Sequence, residues 1–100
     1  MSEAFASGSW TVAAGNEEAF VARWTEFLEW TQAENAGFQY ARLLQDTANP
    51  RHYISLARWD DAATRGAWKA RPEFAQRMGA CRALCDDMQG ADYDSAVEIG

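Results

Sequence analysis

Large hydrophobic positions along the chain follow two different spacings, and these spacings predict its secondary structure. Residues 52–59 are β-branched, aromatic and aliphatic, which indicates a strand that ends at Trp59. At Asp60 and Asp61 the spacing changes to helical steps. A carboxylate there can accept backbone N–H bonds and suits the positive end of a helix dipole. We therefore expect Trp59 at a strand end beside a helix N-terminus, where functional clefts often lie.

The same reasoning predicts the other elements. Asn16 is a good N-cap, and an apolar stripe at helical spacing follows it. The turn residues 47–50 make the strands on either side antiparallel neighbours. Pro72 separates two helical segments, because the residue before proline is pushed out of the helical region. The predicted strands are 4–13, 38–46, 52–59 and 93–99, and the predicted helices are 17–35, 61–70 and 73–88.

This β-α-β-β-α-β order predicts one α+β domain over residues 1–100 with a ferredoxin-like fold, in which helices cover one face of a four-stranded antiparallel sheet. The strand at 52–59 carries apolar residues on both faces. One face holds Tyr53, Ser55, Ala57 and Trp59, and the other holds His52, Ile54, Leu56 and Arg58. Helices can cover only one of them, so we expect a second copy to cover the other in a homodimer.

Charge and composition exclude several classes of partner. The formal net charge is −6, and no basic patch offsets it. A nucleic-acid partner or an anionic membrane surface is therefore not expected. No apolar run approaches ~18 residues, so we expect a soluble, cytoplasmic protein.

The residues that commonly hold metals and cofactors are few. His52 is the only histidine, and we expect it to be exposed near a turn. Cys81 and Cys85 stand four apart on a predicted helix, where two small buried hydrophobes explain them better than a disulfide or a metal site. There is no glycine-rich phosphate loop, so we expect no metal, haem or flavin. Gly8, inside the first strand, predicts a place where a ligand, another strand or another subunit comes close.

The chain resembles the antibiotic biosynthesis monooxygenase domain family, whose members form dimeric α+β barrels. The matching residues cover nearly the whole chain. They are Ser9-Trp10-Thr11-Val12, Gly15, Glu18, Phe20, Trp24, Gly37-Phe38, Leu43-Leu44, Asp46, Pro50, residues 53–60, Trp68 and Pro72-Glu73-Phe74. The resemblance implies a cofactor-free monooxygenase that oxidises a flat phenolic, hydroquinone or anthrone-like molecule with O2.

The resemblance also implies a set of site residues. Quinone-forming members carry a polar residue and then a Trp four positions later, here Ser55 and Trp59, followed by a helical Tyr, here Arg65. Arg77 lies near the family's pocket arginine. We therefore assign catalytic roles to Trp59, Arg65 and Arg77, although Trp59 could equally be a core aromatic and Arg65 a solvated helix charge. The expected substrate-binding residues are Tyr53, Ser55, Trp68, Phe74 and Met78.

Two other functions stay open. A non-catalytic dimeric barrel that binds a small hydrophobic molecule is the main alternative, because no dedicated acid or base stands beside Ser55 and Trp59. Haem degradation, which other members of the family perform with an Asn, a Trp and a His, is less favoured. Trp68 matches that Trp, but Met78 stands where the His is expected, and Gly8 or Ser9 stands in place of the Asn.

Overall fold

The computed structural model describes residues 3–100, which form four strands and three helices. In chain order these are β1 (Ala4–Val12), α1 (Glu17–Glu34), β2 (Phe38–Gln45), β3 (His52–Trp59), α2 (Ala62–Lys69), α3 (Pro72–Arg82) and β4 (Cys85–Asp94). The strands form one antiparallel sheet in the order β2-β3-β1-β4. The predicted α+β ferredoxin-like fold is confirmed.

The two faces of β3 differ as the alternating pattern predicts. Tyr53, Ser55, Ala57 and Trp59 are all buried on the face that the helices cover. On the other face, called the outer face from here on, Ile54 is exposed. The period-2 pattern therefore assigns every side chain of β3 to the correct side of the sheet.

Helix α1 packs one apolar stripe against the sheet. Phe20, Phe27, Leu28 and Thr31 are buried along it. Asn16 occupies the predicted N-cap position, but its side chain makes no capping hydrogen bond. Its amide lies 3.4 Å from the carbonyl oxygen of Leu84, to which it donates.

The start of α2 agrees with the prediction. The Asp61 carboxylate accepts a hydrogen bond from the Thr64 backbone N–H at 2.8 Å, which lowers the pKa of Asp61. Gly37 has φ +88°, and a Cβ on it would lie 2.6 Å from the Thr64 side chain. Only glycine therefore fits where β2 begins under α2.

The C-terminal third corrects the sequence prediction. The helix expected over residues 73–88 ends at Arg82, and Cys85 begins β4 instead. The strand expected at 93–99 lies earlier, because β4 ends at Asp94. Pairing with β1 explains the difference: Met88 lies opposite Trp10 and Gly90 opposite Gly8, so β4 completes the second edge of β1. This long-range pairing overrides the helical spacing of the apolar residues.

The prediction that His52 is exposed is wrong. Its side chain is half-buried on the outer face, where Nε2 lies 3.0 Å from the Ser9 hydroxyl and Nδ1 lies 3.0 Å from Asp46 Oδ2. The bond with His52 is the main reason why the pKa of Asp46 lies below its usual value. These bonds tie the β2–β3 loop to β1.

Both cysteines are free, but only Cys81 is buried on a helix as expected, because Cys85 begins β4. Cys81 is fully buried, and burial raises the pKa of its thiol to about 12. Cys85 is half-buried, and its thiol donates to the Cys81 carbonyl oxygen at 3.4 Å. A thiol with a raised pKa is mostly un-ionised at neutral pH and is a poor nucleophile.

The predictions for the N-terminus, the domain division and the cellular location are tested only in part or not at all. The sequence predicts a loose end over residues 1–3, of which residues 1 and 2 lie outside the described range, while the Glu3 carboxylate pairs with Arg58. None of the helices within residues 3–100 is long and apolar enough to span a membrane. The single-domain division and the cytoplasmic location stay predictions.

Candidate functional site

A cavity lies between the sheet and the three helices. Its floor is formed by small residues of the sheet, Ala6, Gly8, Ala57 and Gly90. Its volume is about 70 Å³, or about 460 Å³ when the open space at its mouth is included. Ligand pockets for small molecules usually hold about 300–1,000 Å³, so a ligand larger than a few atoms would extend into the mouth. The helical side is apolar apart from Lys69 and otherwise comprises Trp24, Phe27, Leu28, Trp68, Phe74 and Met78.

Ser55 places a hydroxyl group in this apolar cavity. It is 9% exposed, and its Oγ accepts a hydrogen bond of 2.9 Å from the Trp10 indole N–H. No residue within 3–100 accepts the Ser55 hydroxyl hydrogen. A hydroxyl group rotates to suit its partners, so this hydrogen can be donated to a ligand oxygen in the cavity. The bond from Trp10 also polarises the hydroxyl and makes it a better donor.

Gly8 leaves room for the Trp10–Ser55 hydrogen bond. A Cβ at this position would lie 2.7 Å from Trp10 Nε1 and 2.9 Å from Ser55 Oγ, both far inside normal contact. Gly8 pairs directly with Ser55 across the strands and with Gly90 on its other side. The glycine that the sequence singles out therefore marks the close approach of an indole ring at the edge of the cavity.

Trp68 forms one rigid wall of the cavity. Its indole N–H donates to the Thr31 hydroxyl at 3.0 Å, and that hydroxyl donates to the Phe27 carbonyl oxygen at 2.9 Å. Its ring stacks on Phe27 at 5.7 Å and meets Phe74 edge-on at 4.7 Å. Its position is therefore fixed, and its N–H is not available to a ligand.

Trp59 does not line the cavity, although it was assigned a catalytic role and shares a strand face with Ser55. It is fully buried behind the Trp68 ring at 4.9 Å and meets Phe38 edge-on at 5.5 Å. Both residues lie on the predicted face, but four residues of strand span about 13 Å, and α2 covers the far end. The Trp59 indole N–H is buried with no hydrogen-bond partner among the described residues.

Tyr53 also lies outside the cavity. Its ring packs against Phe20 at 5.2 Å, and its hydroxyl accepts a hydrogen bond from the Gln45 side chain at 3.1 Å. Burial raises the pKa of Tyr53, with a smaller contribution from the Glu17 charge. Its hydroxyl therefore does not meet the Ser55 group in one site.

The two arginines expected near the substrate lie elsewhere as well. Arg65 Nη1 donates to the carbonyl oxygens of Phe5 at 3.0 Å and Tyr93 at 3.1 Å, so Arg65 joins α2 to β1 and β4. Its side chain is only 13% exposed, so it is not a solvated charge either. The Arg77 guanidinium lies 5.2 Å above the Trp30 ring, outside the cavity lining. Their catalytic roles stay predictions without support from this geometry.

The structure thus brings together part of the expected set and adds other residues. Ser55, Trp68, Phe74 and Met78 line one cavity. The sequence analysis did not single out Trp10, Lys69, Met88 or Gly90 for it. Gly8 was the available signal for Trp10. Met88 and Gly90 were missed because the last strand was predicted to begin only at residue 93, whereas β4 begins at Cys85.

A second polar cluster, Ser9, His52 and Asp46, stands on the outer face. Its order of hydroxyl, imidazole and carboxylate is that of a nucleophile, a base and an orienting acid. These side chains lie outside the cavity lining, and their bonds secure the loop between β2 and β3. We therefore assign the cluster a structural role.

Comparison with known proteins now identifies the family. The sequence profile of the antibiotic biosynthesis monooxygenases matches residues 5–79 of the 100 residues. The chain belongs to the antibiotic biosynthesis monooxygenase family. The sequence has no match among curated proteins.

Solved structures support the fold of this antibiotic biosynthesis monooxygenase domain. A mutant of SnoaB, a cofactor-independent oxygenase from Streptomyces nogalater, is similar with a TM-score of 0.89 and 22% identity over 97% of this chain and 96% of that chain. SnoaB itself is similar with a TM-score of 0.87 and 22% identity over 99% of this chain and 97% of that chain. A putative antibiotic biosynthesis monooxygenase from Deinococcus radiodurans is similar with a TM-score of 0.84 and 17% identity over 97% of this chain and 96% of that chain. At these identities the likeness establishes the fold.

Proposed function

We propose that this protein is a cofactor-independent monooxygenase that oxidises a flat phenolic, hydroquinone or anthrone-like molecule with O2. The observation that carries the proposal is the Ser55 hydroxyl, which Trp10 holds in a cavity that has small residues on its floor and largely aromatic walls. Family membership and the likeness to SnoaB, a cofactor-independent oxygenase, support the same chemistry.

The proposed reaction uses the substrate itself as the reductant. The deprotonated phenol or enol gives one electron to O2, and the resulting radical pair combines to form a carbon–oxygen bond. Loss of water then leaves a carbonyl group, so one oxygen atom stays on the product and the other leaves as water with two substrate hydrogens. Ser55 donates a hydrogen bond to the substrate oxyanion, and the apolar walls limit the access of water.

The Ser55 role has a direct test. Ser55→Ala should lower oxygen uptake by about 10²–10³-fold, the usual effect of losing one oxyanion donor. Because Trp10 then loses its acceptor, thermal unfolding must be measured on the same samples. Ser9→Ala, which removes a hydroxyl on the outer face, is the matched control and should retain the rate.

A ligand-binding module without catalysis is the second candidate. It is favoured because the cavity within residues 3–100 is lined by no His, Asp, Glu, Tyr or Cys that could act as a base. For the oxygenase reaction, the phenol would therefore have to lose its proton to solvent. Oxygen uptake above the uncatalysed rate separates the two functions. Haem degradation is disfavoured by the same absence of a His lining the described cavity.

We also propose that the protein is a homodimer that pairs through its outer face. Leu44 and Tyr93 are each 56% exposed on this face, and Ile54 is 37% exposed. An apolar sheet face of this kind is stable in water once another layer covers it.

A further inference from the structure

One charged side chain lines the cavity within the described part of the chain, and it belongs to Lys69. The residue ends α2, and 37% of its side chain is exposed, which places it at the solvent side of the cavity. Ser55, in contrast, is nearly buried. The cavity therefore has a neutral hydrogen-bond donor at its inner end and a cation at its mouth.

The charges around Lys69 leave a positive excess. Its ammonium group pairs with the Asp92 carboxylate, and the same carboxylate lies 3.7 Å from Arg65 Nε. Two cations thus share one anion, in a protein whose net charge is −6. An exposed Lys–Asp pair is weak, so Lys69 can turn to an incoming anion at little cost, while Arg65 still neutralises Asp92.

The register of the sheet sets the separation between the two ends. Ser55 pairs with Gly8, Gly8 pairs with Gly90, and Asp92 stands two residues beyond Gly90 on β4. With strands ~4.8 Å apart and ~3.4 Å per residue, the Cα atoms of Ser55 and Asp92 lie about 12 Å apart. This length accommodates a fused bicyclic ring with a polar group at each end.

We propose that Lys69 is a specificity-determining residue that selects flat aromatic ligands bearing an anionic group, such as a carboxylate, at the end opposite the oxygen bound by Ser55. The inference rests on the proposed function for the location of the ligand. It adds a substrate class, the hydroxyaryl carboxylates, and gives the cation at the mouth a role. Arg65 then acts as a positioning residue, because it holds Asp92 when Lys69 changes partner.

Calorimetric titration of the intact protein with 6-hydroxy-2-naphthoate and 2-naphthol tests this inference. The two ligands share a ring system and a hydroxyl group and differ in the carboxylate. At low salt and neutral pH, the wild type should bind the naphthoate about tenfold more tightly. Lys69→Gln should abolish this preference and leave 2-naphthol binding unchanged, while Lys69→Arg should retain it. Arg82→Gln, which changes the net charge equally at a residue outside the cavity lining, should behave as the wild type.

Three outcomes would overturn the inference. They are equal affinity of the wild type for both ligands, an equal loss of both affinities in Lys69→Gln, and no binding of either ligand. Oxygen uptake does not enter this test. If the Lys69-dependent preference is found while no phenol consumes O2, the oxygenase proposal fails and the recognition of an anionic aromatic ligand stands.

Discussion

The Trp10 indole N–H donates to the Ser55 hydroxyl at 2.9 Å, and the two residues lie 45 positions apart in the chain. Trp10 stands on β1 and Ser55 on β3, and the glycine between them in the sheet, Gly8, has no side chain to separate them. The result is one oriented hydroxyl at the inner end of a cavity whose walls are apolar apart from Lys69. We regard this pair as the centre of the proposed site.

Gly8→Ala should disrupt this pair. The added Cβ would lie within 3 Å of both polar atoms, so Trp10 or Ser55 must move. We expect a loss of about 1–3 kcal/mol in the free energy of unfolding, as for other overpacked sites, together with a strong loss of turnover. Urea unfolding and oxygen uptake measure the two effects.

The paired glycine, Gly90, is the matched control for Gly8. A Cβ there would lie 3.4 Å from the Met88 methyl group, which is an ordinary contact. Gly90→Ala should therefore keep the fold and only narrow the cavity floor. Equal destabilisation by both substitutions would contradict the special role of Gly8.

Arg65→Ala should lower stability more than Arg77→Ala does. Arg65 donates to two backbone carbonyls and is 13% exposed, so its removal should cost about 1–3 kcal/mol. Arg77 contacts the Trp30 ring, a contact worth about 0.5–1 kcal/mol at an exposed site. Chemical denaturation checks the order. If either variant loses turnover with its stability unchanged, the catalytic role inferred from the family resemblance is restored to that arginine.

Asp46 should make stability depend on acid pH. Its pKa is lowered in the folded state, so its contribution is present above the unfolded-state value of about 3.9 and is lost as the pH falls through the folded value. Asp46→Asn should therefore lower the melting temperature at pH 7, and the difference from the wild type should shrink below about pH 4. Asp94→Asn, at an exposed carboxylate on β4, is the control. A constant difference across this pH range would show that the His52 bond does not act through ionisation.

The outer face should hold two copies together. Ile54→Glu places a charge on that face and should convert a dimer near 22 kDa, twice the chain mass of 11.2 kDa, into a monomer. Val21→Glu changes an exposed apolar residue of α1 and should leave the dimer intact. Light scattering at micromolar concentration measures both. A folded wild-type monomer would refute the dimer.

Local patterns in the sequence predict most of this fold and part of the site. The period-2 pattern assigns both faces of β3 correctly, and the helical stripe of α1 is buried as expected. The start of β4 was not predicted, because the spacing of Cys81, Cys85 and Met88 also fits a helix. Only pairing with β1, more than 70 positions away, decides between them.

For the site, the sequence could predict only which face of a strand each side chain occupies. Ser55 and Trp59 share a face, but the packing of α2 decides that Trp68 separates Trp59 from the cavity. Likewise, the sequence is compatible with Arg65 as a solvated charge on a helix. Its hydrogen bonds to two strands depend on how α2 packs against the sheet. Such contacts join residues distant in the chain, and no local pattern encodes them.

Oxygen consumption tests the central claim most directly. The purified protein, treated with a metal chelator and supplied with no cofactor, is given a panel of anthrones and phenols, including hydroxyaryl carboxylates. The proposed reaction predicts uptake of one O2 per quinone formed, well above the uncatalysed rate and reduced about 10²–10³-fold by Ser55→Ala. Uptake no faster than the uncatalysed reaction across the panel, or an equal rate in Ser55→Ala, would contradict it.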